Sequence, residues 1–168
     1  GYTLFVVSWK NPDAGYAGVG MDQYVEEGYL TAIREVKAIT GQRQVNAVGY
    51  CIAGTTLAHT LALMKKRTDR SVASATFLTT LTDFSDPGEV GVFLTDDFVD
   101  GIGRVVADQG YLDKVFMGRT FSFLRSNDLI YGPAIRSYMM GETPPAFDLL
   151  YWNGDGTNLP ARMAMEYL

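Results

Sequence analysis

The 168 residues contain one cysteine, Cys51, and one histidine, His59. A single cysteine excludes an internal disulfide framework and suits a reducing cytoplasm. One thiol and one imidazole are too few of the usual soft ligands for a metal centre. No apolar run is long enough to span a bilayer, and no signal peptide is visible. Positive charge is in deficit. With 14 Lys and Arg against 19 Asp and Glu, the formal net charge is −5, which argues against bulk attraction to nucleic acid. Repeats and low-complexity segments are absent as well.

What is present is an ordinary globular composition, 47% hydrophobic and 20% charged, on a chain long enough for one domain with a core. Tyr2 to Trp9 is rich in β-branched and aromatic residues and reads as a buried parallel strand, ended by Asn11-Pro12-Asp13 and Gly15. Met21 to Thr40 reads as a helix. Val25, Tyr29, Ala32, Ile33 and Val36 share one face, Asp22 is the expected N-cap and Gly41 the C-cap. Val45 to Tyr50 is a second strand, Ile52 to about Arg67 a helix with Leu57, Leu61 and Met64 inward, and Ser71 to Leu81 a third strand. This β-α-β-α-β order predicts a parallel, helix-covered sheet. After Asp83 the rhythm stops. Asp86-Pro87-Gly88 is a turn, and Gly101 to Gln109 and Asp128 to Met140 look helical. The expected division is a core portion over 1–84 and a mostly helical cap, or lid, over 85–168. The chain opens directly on a strand-like run at Gly1 and stops at Leu168 inside an amphipathic pattern, so an internal piece of a longer protein is expected.

The most informative segment is Gly49-Tyr50-Cys51-Ile52-Ala53-Gly54, between an apolar run and a helix-forming run. A strand, a tight turn and a helix with a thiol at the apex match the nucleophile elbow of α/β-hydrolases, with Cys in place of Ser. Gly49, Ala53 and Gly54 are the small residues that let strand and helix approach. The helix N-terminus favours a thiolate, the reactive form. Against this stands the common role of a lone cysteine as a small buried hydrophobe. The fold class expected is α/β: a partial α/β-hydrolase core plus the cap.

A cysteine nucleophile suits thioester chemistry, because exchange of one thiol ester for another is nearly energy-neutral. The Ile52 backbone N–H would form half of an oxyanion hole. His59 lies eight residues along the same helix, ~12 Å down its axis, and a base must come within ~3 Å. His59 therefore reads as structural. Since the triad order in this fold is nucleophile, acid, histidine, the base is expected beyond Leu168. Asp83, at the end of the third strand, reads as a carboxylate that orders its loop, Asp155 as turn chemistry and Asp148 as a cap. Lys65-Lys66-Arg67 complements the far end of the elbow helix, ~21 Å from the thiol. Arg104, Arg119 and Arg125 are candidates for binding an anionic carrier. Tyr131, Tyr138, Phe147, Tyr151 and Trp152 make the cap aromatic, mostly as core, with some able to line an acyl channel.

Four segments together resemble poly(3-hydroxyalkanoate) synthases, the class I enzymes most closely. They are Phe5-Val6-Val7-Ser8-Trp9-Lys10-Asn11-Pro12, the Cys51 motif, Leu81-Thr82-Asp83-Phe84-Ser85-Asp86-Pro87-Gly88-Glu89-Val90-Gly91-Val92-Phe93, and Phe147 to Pro160. Phe121-Ser122-Phe123-Leu124-Arg125-Ser126-Asn127-Asp128 adds to them, so the resemblance covers nearly the whole chain. It implies an acyltransferase that polymerises (R)-3-hydroxyacyl-coenzyme A, with Cys51 as nucleophile, no cofactor or metal, and the catalytic Asp and His outside this chain. It also implies a cytoplasmic protein on polyester granules, a homodimer when full length. One departure is Ala53, where the family usually has Gly. The competing readings are a Cys-dependent hydrolase of dienelactone-hydrolase type, whose elbow has the form G-Y-C-x-G-G, and a catalytically incomplete fragment that only binds partners.

Overall fold

A computed structural model describes residues 1–144, 146 and 148–168. The chain divides into two compact units, one of Gly1–Lys10 with Val19–Pro87, the other of Asn11–Gly18 with Gly88–Leu168.

The first unit is a mixed α/β structure. Helix α1, Met21–Gln23, runs through a π-helical stretch, Tyr24–Tyr29, into α2, Leu30–Thr40. Gly41 closes α2 at φ 69°, a left-handed conformation that glycine adopts without a Cβ penalty. Strand β1, Val45–Tyr50, then leads into α3, Ile52–Lys66, and α3 into β2, Val72–Leu78. The two strands pair in parallel, Ala47 opposite Ala75 and Gly49 opposite Phe77, so α3 is the crossover that a parallel pair needs. It packs on β1 and on the π-helical stretch. Val25, Leu57 and Met64 are buried there, and Leu61, on the same α3 face, is half-buried. On the other face of the strands Val48 and Tyr50 are exposed.

Tyr2 to Trp9, expected as a buried strand, has no strand partner among the described residues; Tyr2 is fully exposed and Leu4 and Val6 are 81% exposed. Residue type makes this run extended, but a strand also needs a neighbouring edge, and propensity does not supply one. Its end is anchored by Trp9, whose ring stacks on Tyr29 at 5.6 Å and meets Tyr24 edge-on at 5.3 Å. The N-cap of α1 also differs from the expected residue. It is Gly20, not Asp22, because the Gln23 side chain reaches back and its Oε1 accepts the Gly20 N–H at 2.7 Å.

The second unit is mostly helical. It contains α4, Asp96–Gln109; β3, Tyr111–Leu112; α5, Lys114–Leu124; α6, Gly132–Ala134, between π-helical stretches at Asn127–Tyr131 and Ile135–Met139; α7, Leu149–Gly154; β4, Leu159–Pro160; and α8, Ala161–Tyr167. Ile102, Val106, Leu112 and Ala164 form its core, with Leu159 and Ala161 packed against them. The short antiparallel pairing of β3 with β4 was not foreseen, since two-residue strands carry no readable alternation. Asn158 clasps the unit together. Its Oδ1 accepts the Lys114 N–H at 2.9 Å, its Nδ2 donates to the Pro12 carbonyl at 3.0 Å, and its own N–H donates to Asn11 Oδ1 at 2.8 Å.

Candidate functional site

Cys51 occupies the single-residue turn between β1 and α3. Its backbone lies at φ 54°, ψ −127°, a region L-residues rarely enter and one that costs of order 1–3 kcal/mol. The turn is held from both sides. The Cys51 N–H continues the sheet ladder by donating to the Leu78 carbonyl at 2.9 Å, and the Cys51 carbonyl accepts from the N–H groups of Gly54 at 2.9 Å and Thr55 at 3.3 Å. The free thiol is thus exposed at the carboxyl end of the parallel strands and at the N-terminus of a 15-residue helix.

The glycines around it are needed for approach. A Cβ on Gly49 would stand 2.5 Å from the Gly54 Cα, and one on Gly54 would stand 1.9 Å from Thr80 Oγ1. Strand, helix and the segment after β2 therefore meet at separations that only hydrogen side chains allow. The Thr55 hydroxyl fastens the same segment by donating to the Leu81 carbonyl at 2.7 Å.

Ile52 is the first residue of α3, so its N–H is among those a helix start leaves without an intrahelical acceptor. His59 is exposed in mid-α3, eight residues beyond Cys51. At 1.5 Å per residue that separates their backbones by ~12 Å along the axis, too far for direct proton transfer. Asp83 accepts the Ser85 N–H at 3.0 Å, and hydrogen bonds from Ser85 hold its carboxyl below the usual range. It orders its own loop, as its position after the strand predicts.

No family model matches the chain. Curated relatives do, along its whole length. The poly(3-hydroxyalkanoate) polymerase of Methylorubrum extorquens is 43% identical over 168 residues, covering 100% of this chain and 28% of the relative. The polymerase subunit PhaC of Cupriavidus necator is 42% identical over 176 residues, covering 100% and 29%. Polymerase 2 of Ectopseudomonas oleovorans is 37% identical over 169 residues, covering 100% and 30%. The chain belongs to the poly(3-hydroxyalkanoate) polymerase family. It spans less than a third of the length of these relatives.

The remaining candidates in this polymerase-family chain fall away from the thiol or in the second unit. Arg67 is bound to Glu26 through both carboxylate oxygens, Nη1 to Oε2 at 2.9 Å, which lowers the glutamate's pKa. Two shallow grooves of about 480 and 320 Å³ share Met64 and Asp69 near the end of α3 that is remote from Cys51. Arg104 and Arg119 are exposed, and Arg125 is paired with Asp128, Nε to Oδ2 at 3.0 Å. Asp148 takes the N-cap position of α7 without a side-chain cap bond, and Asp155 ends that helix. Tyr131, Tyr138, Tyr151 and Trp152, expected mainly as core, are exposed, whereas Phe147 lies outside the described residues. No helix among the described residues is long and apolar enough to cross a membrane.

Two neighbours of the elbow escaped the sequence reading. Thr80 places its hydroxyl 3.2 Å from the Leu78 carbonyl and 3.5 Å from that of Cys51. The spacing places Tyr29 on a helix face, and its hydroxyl donates to the Ala53 carbonyl at 3.0 Å. A tyrosine at an apolar helical position carries no sign that its oxygen has a specific partner. The partner lies 24 residues away in sequence.

Proposed function

We propose that this chain carries the nucleophile of a polymerising acyltransferase that acts on (R)-3-hydroxyacyl-coenzyme A. One observation supports the reading above all: an exposed cysteine on a strained strand-to-helix turn, in a chain 43% identical to a poly(3-hydroxyalkanoate) polymerase. In this reading the first unit is a portion of an α/β-hydrolase core and the second unit serves as its cap. The Cys51 thiolate attacks the thioester carbonyl. The tetrahedral oxyanion is stabilised by the Ile52 N–H, and the intermediate collapses with departure of the coenzyme A thiolate, which takes up a proton. The acyl group is then carried on Cys51 as a new thioester. The hydroxyl of a bound monomer or chain end attacks it, forming the polyester ester bond and freeing the thiol.

The general base and the acid that serve these steps are proposed to lie outside this chain, since His59 is out of reach. The growing polyester and its granule surface are the proposed partners, with a homodimer as the working form and the cytoplasm as the location. A compact hydrolase of dienelactone-hydrolase type with the same elbow would need no extensive helical second unit, so Gly88–Leu168 favours the polymerase reading.

Cys51→Ala in the complete polymerase tests the proposal. Release of coenzyme A from 3-hydroxybutyryl-coenzyme A is expected to be abolished, and Cys51→Ser to leave at most a trace, because a serine hydroxyl is far less ionised. A normal rate in Cys51→Ala would refute covalent catalysis at this residue.

A further inference from the structure

Three hydrogen-bonded groups run in series beneath the thiol. The Tyr29 hydroxyl donates to the Ala53 carbonyl at 3.0 Å. That carbonyl belongs to the peptide group whose other side is the Gly54 N–H, and this N–H donates to the Cys51 carbonyl at 2.9 Å. The Cys51 carbonyl in turn shares its peptide group with the Ile52 N–H. We infer that Tyr29 is a positioning residue for the oxyanion donor, acting through the two peptide planes Ala53–Gly54 and Cys51–Ile52.

The argument is electrostatic as well as geometric. An acceptor bond at a carbonyl draws electron density toward oxygen and makes the N–H of the same peptide a stronger donor, so bonds in series reinforce one another. A donor at the start of the series therefore strengthens the Ile52 N–H at its end. Each bond also restricts rotation of its peptide plane, and an oxyanion donor works in proportion to how well it is aimed beforehand. The strained Cys51 backbone makes that restraint matter, because a turn in a sparsely populated conformation relaxes unless its surroundings hold it.

Tyr29 is itself fixed. Trp9 stacks on its ring at 5.6 Å with planes 28° apart, and the Trp9 ring lies where a Cβ on Gly28 would stand, 2.6 Å away. Gly28 thus admits the indole that locks the phenol. This assigns a purpose to Trp9 within an otherwise exposed segment, and to a glycine in mid-helix that costs roughly 1 kcal/mol relative to alanine.

The inference rests on the proposed role of Cys51, and its test separates the two. In the complete polymerase, Tyr29→Phe removes one oxygen and keeps the ring stack. Two rates are read on the same protein: release of coenzyme A from 3-hydroxybutyryl-coenzyme A, and alkylation of Cys51 by iodoacetamide. Alkylation needs the thiolate and its exposure but forms no oxyanion. Removing an oxyanion donor outright costs ~10² to 10³-fold, so weakening one is expected to lower kcat by about tenfold with KM unchanged. The alkylation rate and its pH profile are expected to stay at wild-type values. Trp9→Leu, which frees the phenol, is expected to give the same split to a smaller degree. A Tyr29→Phe kcat within twofold of wild type, or an equal fall in both rates, would overturn the inference. Cys51→Ala run in parallel reports on the nucleophile alone: retained coenzyme A release there overturns the parent reading, and with it this one.

Discussion

At the scale of single residues, two side chains on and just beyond α3 differ in what they can contribute. His59 is the only imidazole in the chain, yet it projects from mid-helix into solvent. We expect His59→Gln to leave the polymerisation rate of the folded enzyme essentially unchanged. A fall of ~10³-fold or more, the scale associated with loss of a general base, would reverse that assignment. Asp69 lies at the other end of α3. The Ser71 hydroxyl and the Ser71 N–H, the latter at 2.8 Å, lower its pKa, and the charge of Lys37 adds to the effect. A carboxyl whose folded pKa is depressed stabilises the fold above its unfolded value, near 4. That contribution is lost as pH falls through the lower folded value. The group is mostly exposed, so the effect is small and its direction is the testable part. Between pH 5 and pH 3, the urea midpoint of the wild type should fall further than that of Asp69→Asn. Equal slopes would mean that the Ser71 contacts do not discriminate between the two protonation states.

At the scale of elements, the close approach of β1 to α3 makes a sharper claim. The pattern Gly49-x-Cys51-x-Ala53-Gly54 was legible because each strand-to-helix turn of this kind needs small residues at fixed offsets. The division of labour among them was not legible. Gly49 and Gly54 are the pair in contact, whereas Ala53 contributes through its carbonyl. Gly49→Ala would drive a Cβ against the Gly54 backbone, which no rotamer change relieves. The expected loss is roughly 1–3 kcal/mol, the usual range for overpacking, read as a lower urea midpoint with an unchanged m-value. A variant as stable as wild type would show that strand and helix can separate freely, and that the strain at Cys51 is not enforced by packing. The Asn158 clasp escaped sequence reading for a different reason. Its partner Asn11 is 147 positions away, and contacts between side chain and backbone at that separation leave no local pattern. Tyr2–Trp9 misled because extended propensity is local and strand pairing is not.

At the scale of the whole chain, the sequence carries more about chemistry than about assembly. The thiol, its turn and its helix are legible from the one stretch Val45 to Lys66. The boundary of the second unit was not, because Asn11–Gly18 joins Gly88–Leu168 through single hydrogen bonds such as that of Asn158 to the Pro12 carbonyl. Each unit has its own buried cluster, around Leu57 and Met64 in one and around Ile102 and Val106 in the other. Neither brings an imidazole to Cys51. In the proposed mechanism Cys51 is the nucleophile, and the base that activates it is supplied from outside these residues. Residues Gly1–Leu168 alone should accordingly alkylate at Cys51 but not turn over. General base assistance is typically worth ~10² to 10⁴-fold, and its loss alone would place coenzyme A release far below that of the complete polymerase. The measurement is free-thiol release from 3-hydroxybutyryl-coenzyme A by the 168-residue chain beside the complete enzyme at equal Cys51 concentration. Iodoacetamide titration confirms that the thiol of the short chain is accessible. A rate near that of the complete enzyme would mean that a base already lies within these residues, and the reading of His59 would then be the first to fall.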